Sequence, residues 1–332
     1  MKLISIQNNS GIPKYRQIIA SLEKAILEGV LVKGDRLPSV NKVCLEFGLS
    51  RDTVLLAYEE LKKRGIILAI PAKGYYVKST EVSIREKIFL LFDELNSFKE
   101  DLYNAFLKNI GKDVQVDISF HHFNEKMFSK LIDDNNGIYT KYVIMPANLE
   151  NAAESIAKLP APDVFILDQT NDALAHYPGV HQNFVSDIYH ALKEGKGRLD
   201  QYRKLILVFP GFREPLGMKQ GFINFCEDFG IAYEVLPEFD NRNIDHGEVY
   251  ILPNDRDLVK VIERSKRQKL MSGIDFGIIS YNETPLKKVV ERGISTISTD
   301  FETMGKLMAK IILDGRKKSI ANKCSLILRN SL

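Results

Sequence analysis

Apolar side chains at Tyr15, Ile18, Ile19, Leu22, Ala25 and Ile26 recur at three- and four-residue steps, the period of one helix face. Pro13 suits the first turn of that helix and Gly29 supplies its stop. A short extended piece, Asp35 to Leu37, ends at Pro38, and Ser39 is a good N-cap for a second helix over roughly 39–47, with Val40, Val43 and Cys44 inward. Gly48 makes a turn, Ser50 caps a third helix, and Val54, Ala57, Tyr58 and Leu61 form its apolar face. Two short apolar runs, IILAI (66–70) and YYV (75–77), flank PAKG and predict a hairpin. Two short helices joined by a tight turn and followed by a hairpin predict a winged helix-turn-helix over residues 1–77.

Residues 78–86, KSTEVSIRE, are polar and lack the periodicity of a core segment, so they are expected to be a linker. From residue 87 to 332 the pattern changes to short apolar runs alternating with helical stretches. Strands are predicted at 87–92, 114–120, 142–146, 164–168, 204–209, 232–236, 248–252, 275–280 and 294–298. That alternation predicts parallel, doubly wound sheets, and nine strands exceed one typical sheet, so two α/β lobes are expected. The chain is therefore read as multidomain, a winged head on a two-lobed α/β body with parallel sheets.

Charge sharpens this division. Residues 1–78 carry 13 Lys/Arg against 7 Asp/Glu, a balance of +6, and the remainder carries 33 against 36, a balance of −3. A small basic head on a slightly acidic body suits a head that meets a polyanion. Cys44, Cys226 and Cys324 are far apart and none has metal spacing, so they read as small apolar residues of a reducing compartment. No apolar run has the length of a signal peptide or a membrane span, and the expectation is a cytoplasmic protein without membrane partners.

In a helix-turn-helix the first turn of the second helix meets base edges in the major groove. Ser50, Arg51 and Thr53 occupy that turn; Arg36 and Lys73 sit at two other edges of the head, Lys73 at the wing tip. In an α/β body, ligands sit beyond the carboxyl ends of strands. The loops there (93–98, 121–124, 146–148, 168–172, 210–214, 253–257 and 281–284) are rich in Asp, Asn, Arg and His, groups that pair with hydroxyls, while Phe98 and Phe212 could cover an apolar ring face. Arg213 is a candidate from loop position alone. His121, His122 and Glu125 lack the spacing of a helical zinc motif, and neither a phosphate-binding glycine loop nor a nucleophile elbow is present, so no metal and no cofactor is expected. A sugar-processing enzyme with an accessory head is the rival reading, but no convergent acid/base set can be assembled for it. A third reading is a sugar-binding module whose head makes only protein contacts.

The blocks PKYRQI, GVLVKGDRLPSV, FGLSRDTV, AYEELKKRGII and KGYYV resemble, in order and spacing, the winged-helix domain of the GntR family of bacterial transcription regulators. The resemblance implies DNA contacts from Arg36, Ser39, Ser50, Arg51 and Thr53, and from Lys73 and Gly74 in the wing. Leu55 stands where relatives often carry Arg, and Ala72 where they often carry the first glycine of the wing. Residues 87–332 resemble the periplasmic-binding-protein-like effector domain of LacI-type repressors, on FDELNSFKEDLYNAFLKNIG, YVIMPAN, EVYILPNDRDLVKVIERSKRQK and the segment from DFGIISYNET to MAKIIL. That resemblance implies effector contacts at Asn96, Phe98, Asn254, Asp255, Asn282 and Asp300, with Asn282 replacing the usual Asp. It further implies a homodimer on palindromic operator DNA, repression of carbohydrate-utilisation genes, and a monosaccharide effector, a pentose or deoxyhexose such as L-arabinose or L-fucose. The hinge helix of LacI-type chains is not recognisable before residue 87.

Overall fold

The computed structural model describes residues 3–7, 12–82, 86–211, 213–240 and 242–332, which build one head core and a body of two lobes. In the head, α1 (Lys14–Leu27), α2 (Val40–Phe47) and α3 (Arg51–Lys63) bury the predicted stripes: Ile18, Leu22, Val43, Val54, Ala57, Tyr58 and Leu61 are sealed from solvent. Ser39 and Ser50 cap α2 and α3 by accepting from the backbone N–H of Lys42 and Thr53, and Gly48 takes the left-handed conformation, φ 62°, that ends α2. The wing is β1 (Ile67–Ile70) paired antiparallel with β2 (Gly74–Val77), and Arg36 adds an isolated bridge to Tyr76.

The head core reaches further than its expected boundary. Val82, placed in the linker by its polar surroundings, is buried in this cluster, and its carbonyl accepts from Arg64. Residues 83–85 of the expected linker lie outside the described residues.

Lobe one is a six-stranded sheet in the order β4-β3-β5-β6-β7-β13, built from β3 (Glu86–Phe92), β4 (Val114–Phe120), β5 (Lys141–Ile144), β6 (Val164–Asp168), β7 (Gly179–His181) and β13 (Ser319–Ala321), all parallel. Lobe two repeats the plan as β9-β8-β10-β11-β12-β14, from β8 (Lys204–Val208), β9 (Tyr233–Leu236), β10 (Glu248–Leu252), β11 (Gly277–Tyr281), β12 (Ser295–Thr299) and β14 (Cys324–Ile327). The strands are nearly continuous apolar runs because helices cover both faces of each sheet. Helices α4 (Ser97–Ile110), α5 (Glu125–Asn135), α6 (Ala152–Ile156) and α11 (Phe301–Asp314) belong to lobe one; α7 (Phe184–Glu194), α8 (Lys196–Leu199), α9 (Leu216–Asp228) and α10 (Asp255–Gln268) belong to lobe two. Gly305 lets α11 lie directly on α4, since a Cβ there would overlap the Leu102 carbonyl; Gly221 does the same for α9 on α7, against the Val185 carbonyl.

The two-lobed parallel architecture agrees with the sequence pattern, but three strands escape it. β7, β13 and β14 are three or four residues long and carry polar or small residues, too short for alternation to register. β14 also runs antiparallel to β12, an exception to the expected parallel sheets.

The chain changes lobe three times: after β7, between β12 and α11, and between β13 and β14. The crossovers are laced together. Asn322 donates its backbone N–H to the His181 carbonyl (2.7 Å), and its Nδ2 to Thr299 Oγ1 (2.9 Å) and the Asp300 carbonyl (2.8 Å). The Asp300 N–H donates to the Lys323 carbonyl (3.0 Å).

Candidate DNA-binding and effector sites

The head presents its predicted contact residues in two linked groups. Ser39 and Ser50 stand at the exposed N-termini of α2 and α3, where free N–H groups and the helix dipole favour phosphate. Ser50 Oγ and Thr53 Oγ1 are 2.8 Å apart, and Tyr58 Oη donates to the Pro38 carbonyl (2.8 Å), pinning the approach to α2 onto α3. Arg51 is exposed and reaches Asn41 Oδ1 at 3.5 Å, which brings Asn41 into the same face. Sequence reasoning passed over Asn41; its place beside the Ser39 cap was the available signal.

The second group is the wing. The Arg36 guanidinium lies against Gly74, where a Cβ would come within 3.6 Å of it, and Lys73 is exposed at the turn. Ala72 adopts φ 59°, a conformation that glycine takes without strain, which is why a glycine suits this position. Leu55 packs against the head core, so its side chain is spent on folding.

In the body, both sheets reverse strand order at the same place, between their first and third strands, where open α/β sheets form ligand crevices. The two reversal points face one another. Arg213, after β8, bridges to Glu94, after β3, at 3.0 Å, and its guanidinium lies 5.0 Å from the ring centre of Phe123. Asn148, after β5, donates to the Glu214 carbonyl (3.0 Å). Asn96 caps α4 through Lys99 N–H and leans its Nδ2 toward Glu94 at 3.4 Å, so Asn96 and Arg213 meet at one carboxylate.

The remaining predicted effector residues fall into two further groups. Phe98 stacks on Phe301 (4.7 Å between ring centres) and, with Asp300, lines a cavity of about 560 Å³ whose far wall is Glu283, Ser298 and Ser325 of lobe two. Asp300 also caps α11 through Thr303. Asn254 caps α10 and spends its Nδ2 on Asp257. Asp255 pairs with the buried ammonium of Lys287 (2.9 Å), which donates as well to the carbonyls of Tyr281 (2.8 Å) and Asn282 (2.9 Å). Lys287 thus ties Asp255 to Asn282, and burial pulls its pKa below the ordinary lysine value. Phe212 lies outside the described residues.

A cluster that the sequence did not single out sits deeper. The Lys99 ammonium is buried against Asp93, and Asp168 is buried with Gln182 as its amide partner. Burial pushes the Asp168 carboxyl up, opposed by the Lys99 charge. His121, read at first beside a possible metal set, is buried with Nε2 on the Met145 carbonyl (3.0 Å), and burial lowers its pKa. Glu125 instead holds Asn151 (2.7 Å), and no group of metal-ligating side chains occurs among the described residues. No helix among the described residues is long and apolar enough to cross a membrane.

Comparison with known proteins divides the chain at the same point. Residues 14–77 match the family described as bacterial regulatory proteins, gntR family. The HTH-type transcriptional repressor YtrA of Bacillus subtilis (strain 168) is 28% identical over 124 residues, 34% of this chain and 95% of that protein. The trehalose repressor from Escherichia coli superposes with a TM-score of 0.60 at 12% identity, over 73% of this chain and 99% of that one. A periplasmic binding protein/LacI transcriptional regulator from Alkaliphilus metalliredigens QYMF, complexed with D-xylulofuranose, does so with a TM-score of 0.59 at 13% identity, over 74% and 98%. Residues 14–77 thus match the gntR-family model, and the body has the fold of the solved LacI-type repressors.

Proposed function

We propose that the protein is a sugar-responsive transcriptional repressor that acts as a homodimer on a palindromic operator and controls carbohydrate-utilisation genes. The observation that carries this reading is the facing of the two strand-order reversals across the Arg213–Glu94 bridge, in a chain whose head exposes two capped helix N-termini. The head reads DNA with Ser50, Arg51 and Thr53 in the major groove, Ser39 on the backbone, and Arg36, Lys73 and Gly74 along the wing. The effector is a monosaccharide, with a pentose or deoxyhexose such as L-arabinose or L-fucose as first choice. Its contacts come from Asn96, Phe98, Arg213, Asn254, Asp255, Asn282 and Asp300. The D-xylulofuranose bound by one protein of this fold and the trehalose of another's name support a carbohydrate.

Switching requires that the sugar bind the closed and open arrangements of the lobes with different affinity. Because the crossovers are laced through Asn322, a change in lobe angle moves the three segments together. Lobe one also touches the head: Lys63, in the last turn of α3, pairs with Asp163 (3.0 Å), which Lys141 holds from the other side (2.7 Å). That contact gives the lobes a route to the recognition helix. Operator fragments titrated with the full chain by fluorescence anisotropy, with and without L-arabinose, L-fucose and other monosaccharides, test the reading. A sugar that changes operator affinity supports it; DNA binding indifferent to salt and sequence overturns it.

A further inference from the structure

Lys63 joins the head to lobe one at a point away from the chain connection. Its Nζ lies 3.0 Å from Asp163 Oδ2, and Lys141 Nζ holds Oδ1 of the same carboxylate at 2.7 Å. The Lys63, Asp163 and Lys141 side chains are only 20%, 20% and 23% exposed, so salt screens them less than a surface pair. The rest of the seam is loosely packed. A cavity of about 900 Å³ lies between α1 and α3 of the head and the starts of β3, β5 and β6, and Leu27 and Leu56 on its wall stay 72% and 53% exposed. Apolar burial therefore does little to hold the head on lobe one. Like charge even opposes it, since Glu60 of α3 and Glu86 of β3 line the same cavity.

The chain connection is the other attachment. The head core closes at Val82, whose carbonyl accepts from Arg64 at the end of α3, and β3 starts at Glu86. In the sheet β5 lies between β3 and β6, so the two attachments stand about 10 Å apart. One attachment leaves a domain free to turn about it; two fix its direction.

Both holders of this contact lead to the cleft. Asp163 runs directly into β6, which ends about 16 Å away at the buried Asp168, beside Gln182 of the first crossover. Lys141 opens β5, and the segment after β5 brings Asn148 to the Glu214 carbonyl of lobe two (3.0 Å). β5 and β6 are hydrogen-bonded neighbours. On the head side, Lys63 is in the last turn of α3, a helix about 20 Å long whose first turn carries Arg51 and Thr53, with Ser50 as its cap.

We propose that Asp163 is a positioning residue for operator recognition: it fixes the direction of α3 relative to lobe one, and effector-driven movement of β5 and β6 reaches the head through it and not through the chain connection alone. This rests on the sugar-responsive repressor reading above and names the residue that couples its two sites.

The test uses the full chain and Asp163→Asn, which removes the charge that balances Lys63 and Lys141 and keeps the shape of the side chain. Hydrogen exchange read by mass spectrometry should speed up in the last turn of α3 and over 161–163. Operator affinity without sugar should fall no more than about threefold, because Ser50, Arg51 and Thr53 are untouched. The ratio of operator affinities with and without sugar, measured over a panel of monosaccharides that includes L-arabinose and L-fucose, should fall to less than about a third of the parent's. Lys63→Gln should do the same, and the double variant no more than either single one, because all three remove one contact. Lys158→Gln is the control: it breaks a pair with Asp133 elsewhere on lobe one and should change neither readout. A parent that responds to a sugar and an Asp163→Asn variant that responds equally would overturn the inference and leave the repressor reading standing. A parent that responds to no sugar would overturn the sugar reading, and the exchange result then decides the positioning of α3 by itself: faster exchange upholds it and unchanged exchange overturns it.

Discussion

Arg213 and Glu94 form an ion pair of 3.0 Å that joins lobe two to lobe one where both sheets reverse their strand order. The pair is partly exposed, so by itself it contributes little; the Phe123 ring under the guanidinium adds to it. Together they hold the two lobes against one another by about 1 kcal/mol. Arg213→Ala should therefore shift the open–closed balance roughly fivefold toward open. Small-angle scattering of the ligand-free protein should show a larger radius of gyration, and sugar affinity should fall by a similar factor; an unchanged radius and affinity would mean that the bridge does not hold the lobes.

At the DNA end, Arg51 is exposed with only a long contact to Asn41, free to fork onto a guanine. Arg51→Ala should weaken operator binding by about 1–3 kcal/mol and relax preference at one base position. Binding isotherms on operator and on random DNA distinguish the roles, because equal losses on both would assign Arg51 to phosphate.

Asp255 is two-thirds exposed, while its partner Lys287 is buried beneath the Tyr281–Asn282 turn. Asp255→Ala leaves the buried Lys287 ammonium its two carbonyl acceptors but removes its paired carboxylate, and should lower Tm. It should abolish the sugar response and leave operator binding without sugar intact. Sugar affinity equal to that of the parent protein would remove Asp255 from the site.

Asp187, in the first turn of α7, accepts from the Asn183 N–H (3.0 Å), yet burial pushes its carboxyl up to about 6. Between the ordinary carboxylate range and that value, the folded chain keeps a proton that the unfolded chain has released. Stability from this group is therefore full below about pH 4 and is lost as pH rises through about 6. Urea midpoints at steps from pH 4 to 7 should fall less steeply in Asp187→Asn than in the parent, and identical slopes would refute the assignment.

Much of the head was legible residue by residue, because its helix stripes, two serine caps and hairpin are local features. In the body, strands such as Val164–Asp168 and Glu248–Leu252 showed as apolar runs because both faces are covered. The crossovers did not show. His181, Ser319 and Asn322 derive their structure from partners 138 or more residues away in some cases, as with Ser319 and His181, and no local period records that. The site residues divide in the same way. Loop position proposed Arg213, and resemblance proposed Asp255 and Asn282. Asp163 stands out only once its two lysine partners are known.

The three lobe crossings also fix an order of events during synthesis. Lobe one receives β3 to β7 early, but the helix that covers one face of its sheet, α11, and its edge strand, β13, are encoded after all of lobe two except β14. The head, whose core closes at Val82, can fold while the body is still emerging from the ribosome. Lobe one cannot complete until residue 321 is available, so neither lobe is a contiguous segment that could be excised and expressed alone with its full set of strands. A nascent chain stalled before α11 would carry a finished DNA-binding head on an exposed, unfinished sheet.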